Sequence, residues 1–375
     1  MPPESLPSND SLRILRVAQT IYPDVKGGGA YHVHALSRDQ AALGHDVTVV
    51  TVRHDPTAPH LEERCGYTVV RYDPSVAVLG NDISAGVAQY LRAAAGFDVV
   101  HAHSHLYFST NLAALKRLVG GPPLAITNHG LYSQTASKRL FEWYLRTIGR
   151  WTFNRADLVF CYTDVERQRL REVGVTTPVA VVSNGVDTDR FRPTGPGSAL
   201  IEATGPVVLF VGRLVEGKRP RDALEAMKAV RETYPEATLY VCGDGPRRKR
   251  LERQAGDAAG EAVVFLGHVP YDEMPRVYRS ADVLVLPSRA EGVARTVLEA
   301  MASGTRVVCS DLEQLRPIVD GAGAVAPVGD VPAFASAIQD QLSVSTADQP
   351  SQAPTYEWHQ TVAAVTDSLR RLARS

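Results

Sequence analysis

Two glutamates, Glu291 and Glu299, are separated by seven intervening residues in LPSRAEGVARTVLEAMASGTRVVCSD. The first falls in a loop after an apolar run, and the second lies inside a helix-compatible stretch. Carboxylates accept from hydroxyls, often from two at once, so the pair suits a polyhydroxylated ligand. Between them, the amides of Gly292, Val293, Ala294, Arg295 and Thr296 cross from loop to helix, where N–H groups can converge on one anion. Without context the same pair is equally an acid at a helix start and an acid on a surface.

Cations precede this pair. In VVLFVGRLVEGKRPRDALEAM, Arg213 and Lys218 follow a strand-like run and flank Gly212 and Gly217. Cations at a helix start are unfavourable unless an anion offsets them, and two of them can neutralise a diphosphate as it binds and leaves. Next, YVCGDGPRRKRLERQ puts Gly243, Asp244, Gly245 and Pro246 in a tight turn after a strand. Open α/β sheets bind ligands at that end of their strands. The run Arg247–Arg250 is a solvated helix face rather than a nucleic-acid contact. Near the N-terminus, Gly27, Gly28 and Gly29 precede a helix, either as a plain flexible turn or as a place where backbone meets an anion. A nicotinamide dinucleotide site would need GxGxxG directly after the first strand and an acid closing the second. Here the glycines come late and the second strand ends at Thr51.

These loops need strands to hold them. Short apolar runs recur between longer helix-compatible stretches: RILRVA, DVTVVTV, YTVVRY, FDVVHAH, PLAITN, DLVFCY and PVAVVS in the first half, PVVLFVG, ATLYVC, EAVVFLG, DVLVLP and TRVVCS in the second. Their continuous apolarity predicts parallel strands buried on both faces, in βαβ order. The chain has 375 residues, 44% hydrophobic and 22% charged, enough for two α/β domains. Gly, Pro and Ser concentrate over 192–205, which predicts a linker and domains at 1–193 and 194–355. A last helix-like stretch spans 356–375. Forty Lys plus Arg against 41 Asp plus Glu leaves no bulk charge for nucleic acid. Cys161, Cys242 and Cys309 sit in strand-like runs as small hydrophobes, and with Cys65 they form no CxxC pair. MPPESLPSNDS carries no apolar signal core, and no run of about 18 apolar residues occurs, so the expected compartment is cytoplasmic.

Glu291–Ala302, Gly212-Arg213 with Lys218, the Gly243–Pro246 turn and SNGVDTDRF (Ser183–Phe191) together resemble retaining glycosyltransferases of the GT-B fold, the GT4 family. The resemblance covers essentially the whole chain and is densest over 183–310. It implies two Rossmann-like domains facing across a cleft, with helix 356–375 crossing back onto the first. It implies transfer of a sugar, with retained configuration, from a nucleotide-diphosphate donor (UDP-sugar first, GDP-sugar next) to a hydroxyl of a glycan, lipid-linked or small-molecule acceptor.

The resemblance carries over residue by residue. Glu291 matches the carbohydrate-proximal glutamate and Glu299 the ribose-binding one. Arg213 and Lys218 match the phosphate-binding pair, and Gly27–Gly29 the glycine loop. Gly267, His268 and Val269 fall where relatives bind the base, and His129 in NHG resembles a residue beside the transferred sugar. The catalytic set is therefore His129, Arg213, Lys218 and Glu291, with no metal and no cofactor required. This chain departs from its relatives at Gly292–Arg295, where many have a Gly-Leu-Pro type loop, and at Gly130, where many have an acid. A catalytically silent nucleotide-sugar-binding partner subunit and a GT-B-fold sugar-nucleotide epimerase are the alternatives. A glycogen-type phosphorylase would need a pyridoxal-phosphate lysine, for which no site is evident.

Two segments fall outside that pattern. His101, His103 and His105 alternate in VVHAHSHL and would share one side of an extended strand, either lining a cleft or ligating a metal; no acid or cysteine joins them. Residues 138–155 are basic and aromatic, with Lys138, Arg139, Arg146, Arg150 and Arg155 against Glu142. That stretch is either an ordinary domain helix or a peripheral contact with anionic lipid on the inner face of a membrane.

Overall fold

The computed structural model describes residues 11–78, 81–132, 137–258, 262–344 and 356–375. They fall into two units. The first is Met1–Leu131, Lys138–Ser183 and Gln360–Ser375; the second is Tyr132–Ser137 and Asn184–His359. The main break therefore lies about ten residues before the Pro/Gly-rich stretch, and the last helix is shared between the units, with most of it in the first.

In the first unit the order is β1 (Arg13–Val17), α1 (Gly28–Ala42), β2 (Asp46–Val52), β3 (Leu61–Arg64), β4 (Tyr67–Tyr72), β5 (Val76–Val78), β6 (Asn81–Ile83), α2 (Ala85–Ala93), β7 (Val99–His103), α3 (Phe108–Leu118), β8 (Leu124–Thr127), α4 (Lys138–Tyr144), α5 (Arg150–Phe153), β9 (Leu158–Cys161), α6 (Asp164–Glu172) and β10 (Val179–Val181). A π-helical turn, Leu145–Gly149, joins α4 to α5. The sheet runs β10-β9-β8-β7-β1-β2-β4-β3. Every pair is parallel except β3–β4. Strands β3, β5 and β6 were not expected: LEER is a polar edge strand, and β5–β6 is a three-residue antiparallel pair, exposed along β5 and half-buried along β6.

The second unit holds β11 (Val207–Val211), α7 (Pro220–Thr233), β12 (Thr238–Cys242), α8 (Arg248–Ala258), β13 (Val263–Gly267), α9 (Met274–Arg279), β14 (Val283–Leu286), α10 (Arg295–Ala302), β15 (Arg306–Ser310), α11 (Arg316–Val319), β16 (Gly323–Ala326) and α12 (Val331–Ser343). Its sheet, β13-β12-β11-β14-β15-β16, is wholly parallel. Helix α13 (Trp358–Ala373) closes the chain. Among the described residues no helix is long and apolar enough to cross a membrane.

Continuous apolar runs become central strands because helices cover both faces of each sheet. Val208, Leu209 and Phe210 on β11 are fully buried, as are Ile14, Leu15 and Val17 on β1. Chain order reverses between β1 and β7 in one sheet and between β11 and β14 in the other. Loops at the carboxyl ends of these strand pairs diverge to opposite faces and leave a crevice, the usual ligand position in such sheets.

Candidate active site

In the second unit, the loops leaving β11, β12 and β13 are bound to one another through main chain. The Gly212 N–H donates to the Cys242 carbonyl at 2.9 Å, Leu214 N–H to Asp244 at 2.9 Å, and Gly243 N–H to Gly267 at 2.7 Å. This explains the glycines. Gly243 has φ of 135°, and a Cβ there would lie 2.0 Å from the Gly212 carbonyl oxygen. At Gly245 a Cβ would lie 2.7 Å from the Leu214 carbonyl oxygen. Asp244 is exposed, and its carboxylate accepts the Gly245 N–H at 2.7 Å.

Beyond β11, Arg213 projects into solvent, while Lys218 ends a 3-10 turn, Glu216–Lys218. Arg219 follows with φ of 51°, and its guanidinium is braced by Asp222 at 2.6 Å. A left-handed, non-glycine residue at this point turns the chain into α7 and sends Lys218 back across the sheet end. There the Lys218 ammonium pairs with the Glu291 carboxylate, which is only 4% exposed. Arg289 N–H donates to the Gly217 carbonyl at 2.8 Å, and Gln314 donates to the Glu291 carbonyl, so both loops are fixed. Lys218 follows β11 and Glu291 follows β14. Their meeting point is the place where strand order reverses.

Glu299 lies on α10, one helical turn beyond Arg295. It is 4% exposed, and both its oxygens already accept hydrogen bonds: from Tyr271 at 2.7 Å and from Tyr278 at 3.1 Å. Arg295 approaches at 3.4 Å and also donates to the Tyr271 hydroxyl at 3.1 Å. Burial and the neighbouring Glu299 hold the Tyr278 phenol well above its usual range, so it stays a donor. Gly292, Val293 and Ala294 are buried at the start of α10, Thr296 is half-buried, Val269 is buried and His268 is exposed. The tyrosines were missed from sequence. Their signal was weak: two residues seven apart in PYDEMPRVYRS, with nothing to aim them at Glu299.

In the first unit, Gly27, Gly28 and Gly29 are exposed at the start of α1, and a Cβ at Gly27 or Gly29 would meet nothing within 4 Å. The loop before them is anchored by Asp24, whose carboxylate takes Arg71 at 2.5 Å and Arg64 at 3.0 Å. Despite its burial, these two guanidinium groups hold Asp24 below the ordinary carboxylate range.

His101 and His103 do share one side of β7, ring centroids 4.4 Å apart. His105 does not join them. Ser104 takes φ of 64°, which ends the extended backbone, and His105 turns to Asn128 at 3.2 Å. Among the described residues no three His, Cys, Asp or Glu side chains are grouped to hold a metal. His129 follows β8. Its Nε2 lies 3.1 Å from His103 Nδ1 and its Nδ1 lies 2.7 Å from the Tyr162 hydroxyl. Burial pushes the His129 and His105 imidazoles down to about 4 and holds those of His101 and His103 well below their usual range, so all four are neutral at pH 7.

The basic helix is amphipathic across its π turn. Phe141, Leu145 and Phe153 are buried, whereas Leu140, Trp143 and Ile148 are exposed, beside exposed Arg139, Arg146 and Arg150. The aromatics therefore divide, some to the core and Trp143 to solvent. Cys161, Cys242 and Cys309 are buried, with thiols pushed up to about 12, as inert core thiols should be.

This architecture, two α/β units with parallel sheets and glycine-tightened loops at the strand ends, is the GT-B fold of glycosyltransferases. Residues 26–190 match the model of Glycosyltransferase Family 4, and residues 205–343 match that of the Glycosyl transferases group 1. A glycogen synthase of Mycobacterium tuberculosis is 30% identical over 369 residues, 90% of this chain and 88% of its own. A phosphatidyl-myo-inositol mannosyltransferase of Mycolicibacterium smegmatis is 30% identical over 354 residues, covering 89% and 88% of the two chains. Among solved structures, sucrose-phosphate synthase from Thermosynechococcus elongatus superposes with a TM-score of 0.81 at 23% identity, over 97% of this chain and all of its own. The chain belongs to the GT4, group 1 glycosyltransferases, and is a glycosyltransferase.

Proposed function

We propose that this enzyme takes a sugar from a nucleoside-diphosphate sugar held by the second unit and transfers it, with retained anomeric configuration, to a hydroxyl acceptor. The observation that carries this is the pairing of Lys218 with Glu291 at the strand-order reversal between β11 and β14. A diphosphate would draw the Lys218 ammonium and the exposed Arg213 of the same loop, and free Glu291 to accept from sugar hydroxyls. Two cations there stabilise the diphosphate as its charge grows on leaving, the task a metal would otherwise perform, so turnover should survive chelators. Glu299 takes the ribose hydroxyls, exchanging one tyrosine partner for them. His268 and Val269 border the base, the amides of Gly292–Thr296 and of Gly27–Gly29 serve the phosphates, and His129 lies by the sugar. Glu291 orients the sugar and is not a covalent nucleophile.

UDP-sugars are the first donors to test and GDP-sugars the second. The Anabaena protein HepE, 19% identical with a TM-score of 0.71, has been crystallised with UDP-glucose, and another relative is named a GDP-mannose-dependent mannosyltransferase. A thermal-shift screen of nucleotide sugars, followed by turnover with the hit, tests the proposal. A donor that binds and is turned over by the native enzyme but not by Glu291→Ala supports it; full turnover by Glu291→Ala defeats it.

The acceptor is a glycan, a lipid-linked sugar or a small molecule. The enzyme works in the cytoplasm, and the exposed Arg139, Leu140, Trp143, Arg146, Ile148 and Arg150 face rests on the anionic inner surface of a membrane. Sedimentation with phosphatidylglycerol vesicles should exceed that with phosphatidylcholine vesicles. Equal sedimentation removes the membrane from this account.

A further inference from the structure

We infer that Tyr162 is a positioning residue for the transfer reaction: with His103 it occupies both ring nitrogens of His129, so that His129 acts as a fixed neutral ring and not as a proton carrier. This rests on the proposed place of His129 beside the transferred sugar. Sequence alone gave Tyr162 no role.

The geometry begins with the start of α6. Thr163-Asp164-Val165-Glu166 forms a capping box, in which the Thr163 hydroxyl accepts the Glu166 N–H at 3.2 Å. The Glu166 carboxylate reaches back to accept the Tyr162 N–H at 2.9 Å. Residue 162 is thus fixed at its main chain, and its ring is 6% exposed. From there the hydroxyl reaches His129 Nδ1 at 2.7 Å. On the other side, β7 delivers His103 Nδ1 to His129 Nε2 at 3.1 Å. The His103 ring lies nearly parallel to that of His129, with an interplanar angle of 25°. The ring of His32, from α1, meets His129 edge-on at 5.2 Å between centroids.

A neutral imidazole has one N–H and one lone pair. Both are engaged here by neutral partners, and none of these contacts is a carboxylate that would favour the imidazolium. A phenol is the better donor and an imidazole nitrogen the better acceptor, so the hydroxyl of Tyr162 donates to Nδ1 and the proton of His129 sits on Nε2, shared with His103. His129 then presents a ligand only with its ring edge and the main chain leading into Gly130. Holding such a group within a fraction of an ångström is what second-layer contacts contribute to a transfer reaction.

The test is Tyr162→Phe, which keeps the ring and removes the hydroxyl, in the full-length enzyme with 15N-labelled histidine. In the native enzyme His129 should be one tautomer, protonated on Nε2, and neutral from about pH 5 to 8. In Tyr162→Phe it should populate both tautomers, and kcat with the sugar nucleotide that gives turnover should fall about tenfold with KM within about threefold, as small misplacements cost. An unchanged tautomer or an unchanged kcat overturns the inference. A pH–rate limb that tracks titration of His129 in the native enzyme also overturns it. A His129→Ala variant separates the two levels. If it keeps full activity, the place of His129 at the sugar has failed, whatever Tyr162→Phe does; if it loses activity while Tyr162→Phe keeps it, only the inference about Tyr162 has failed.

Discussion

The two units place different chemistry at the carboxyl strand ends of two parallel sheets. Around the reversal between β11 and β14 the second unit sets charge against charge, with Lys218 on Glu291 and Arg295 near Glu299, and Arg247 pairs with Glu216 between the loops after β12 and β11. Along β7 and just beyond β8 and β9 the first unit sets neutral rings against one another: His101, His103, His129 and Tyr162. Paired charges are ready to exchange partners with an anion, because an ammonium leaving a carboxylate for a phosphate stays satisfied. Buried neutral imidazoles have no such exchange, and they suit shape and hydroxyl contacts. Under the proposed function, this contrast puts the charged side chains that meet the diphosphate in the second unit and neutral side-chain contacts in the first.

Four experiments can break that contrast. The largest effect is expected from Arg213→Ala and Lys218→Ala, each lowering turnover by about a hundredfold, the usual worth of a charge aimed at a developing anion. Near-native turnover in both would remove the diphosphate from this loop.

Next is Asp24→Ala, which leaves the fully buried Arg71 with Glu62 alone and should cost about 1 to 3 kcal/mol. Calorimetry should show the loss in the first unit's transition, and hydrogen exchange should rise around Gly27–Gly29 first.

Acid should also separate the units. Burial brings His34, His105 and His129 down to about 4 and holds His101 and His103 well below the 6.5 of an ordinary histidine. Between these values the unfolded chain binds more protons, so the stability these groups supply is complete above 6.5 and is lost as pH falls towards 4. Glu166, raised by burial to about 7, works in the opposite sense, one group against five. Exchange mass spectrometry from pH 7 to 4 should find the first unit opening before the second; the reverse order would contradict the imidazole account.

The smallest effect is chemical. A thiol reagent should label Cys65 in the native enzyme and reach Cys161, Cys242 and Cys309 only on unfolding.

Much of this was legible in the sequence, because local pattern and local chemistry coincide there. Buried parallel strands are continuous apolar runs, and Gly243 and Gly245 announce a turn that side chains cannot enter. The pairing of Lys218 with Glu291 joins residues 73 apart, and that of Tyr162 with His129 joins residues 33 apart. No periodicity records such contacts, since they arise from strand order. The polar strand β3 was invisible because an edge strand needs few apolar residues. His105 left the expected row of histidines through a single backbone angle at Ser104.

The most direct measurement is calorimetric titration of the full chain with the nucleoside diphosphate of its donor. Glu299→Ala and Lys218→Ala should each weaken binding by about tenfold or more, roughly 1.4 kcal/mol, while His129→Ala changes it by less than about threefold. Tight binding by both second-unit variants, with loss in His129→Ala, would contradict the assignment of the diphosphate to the charged unit.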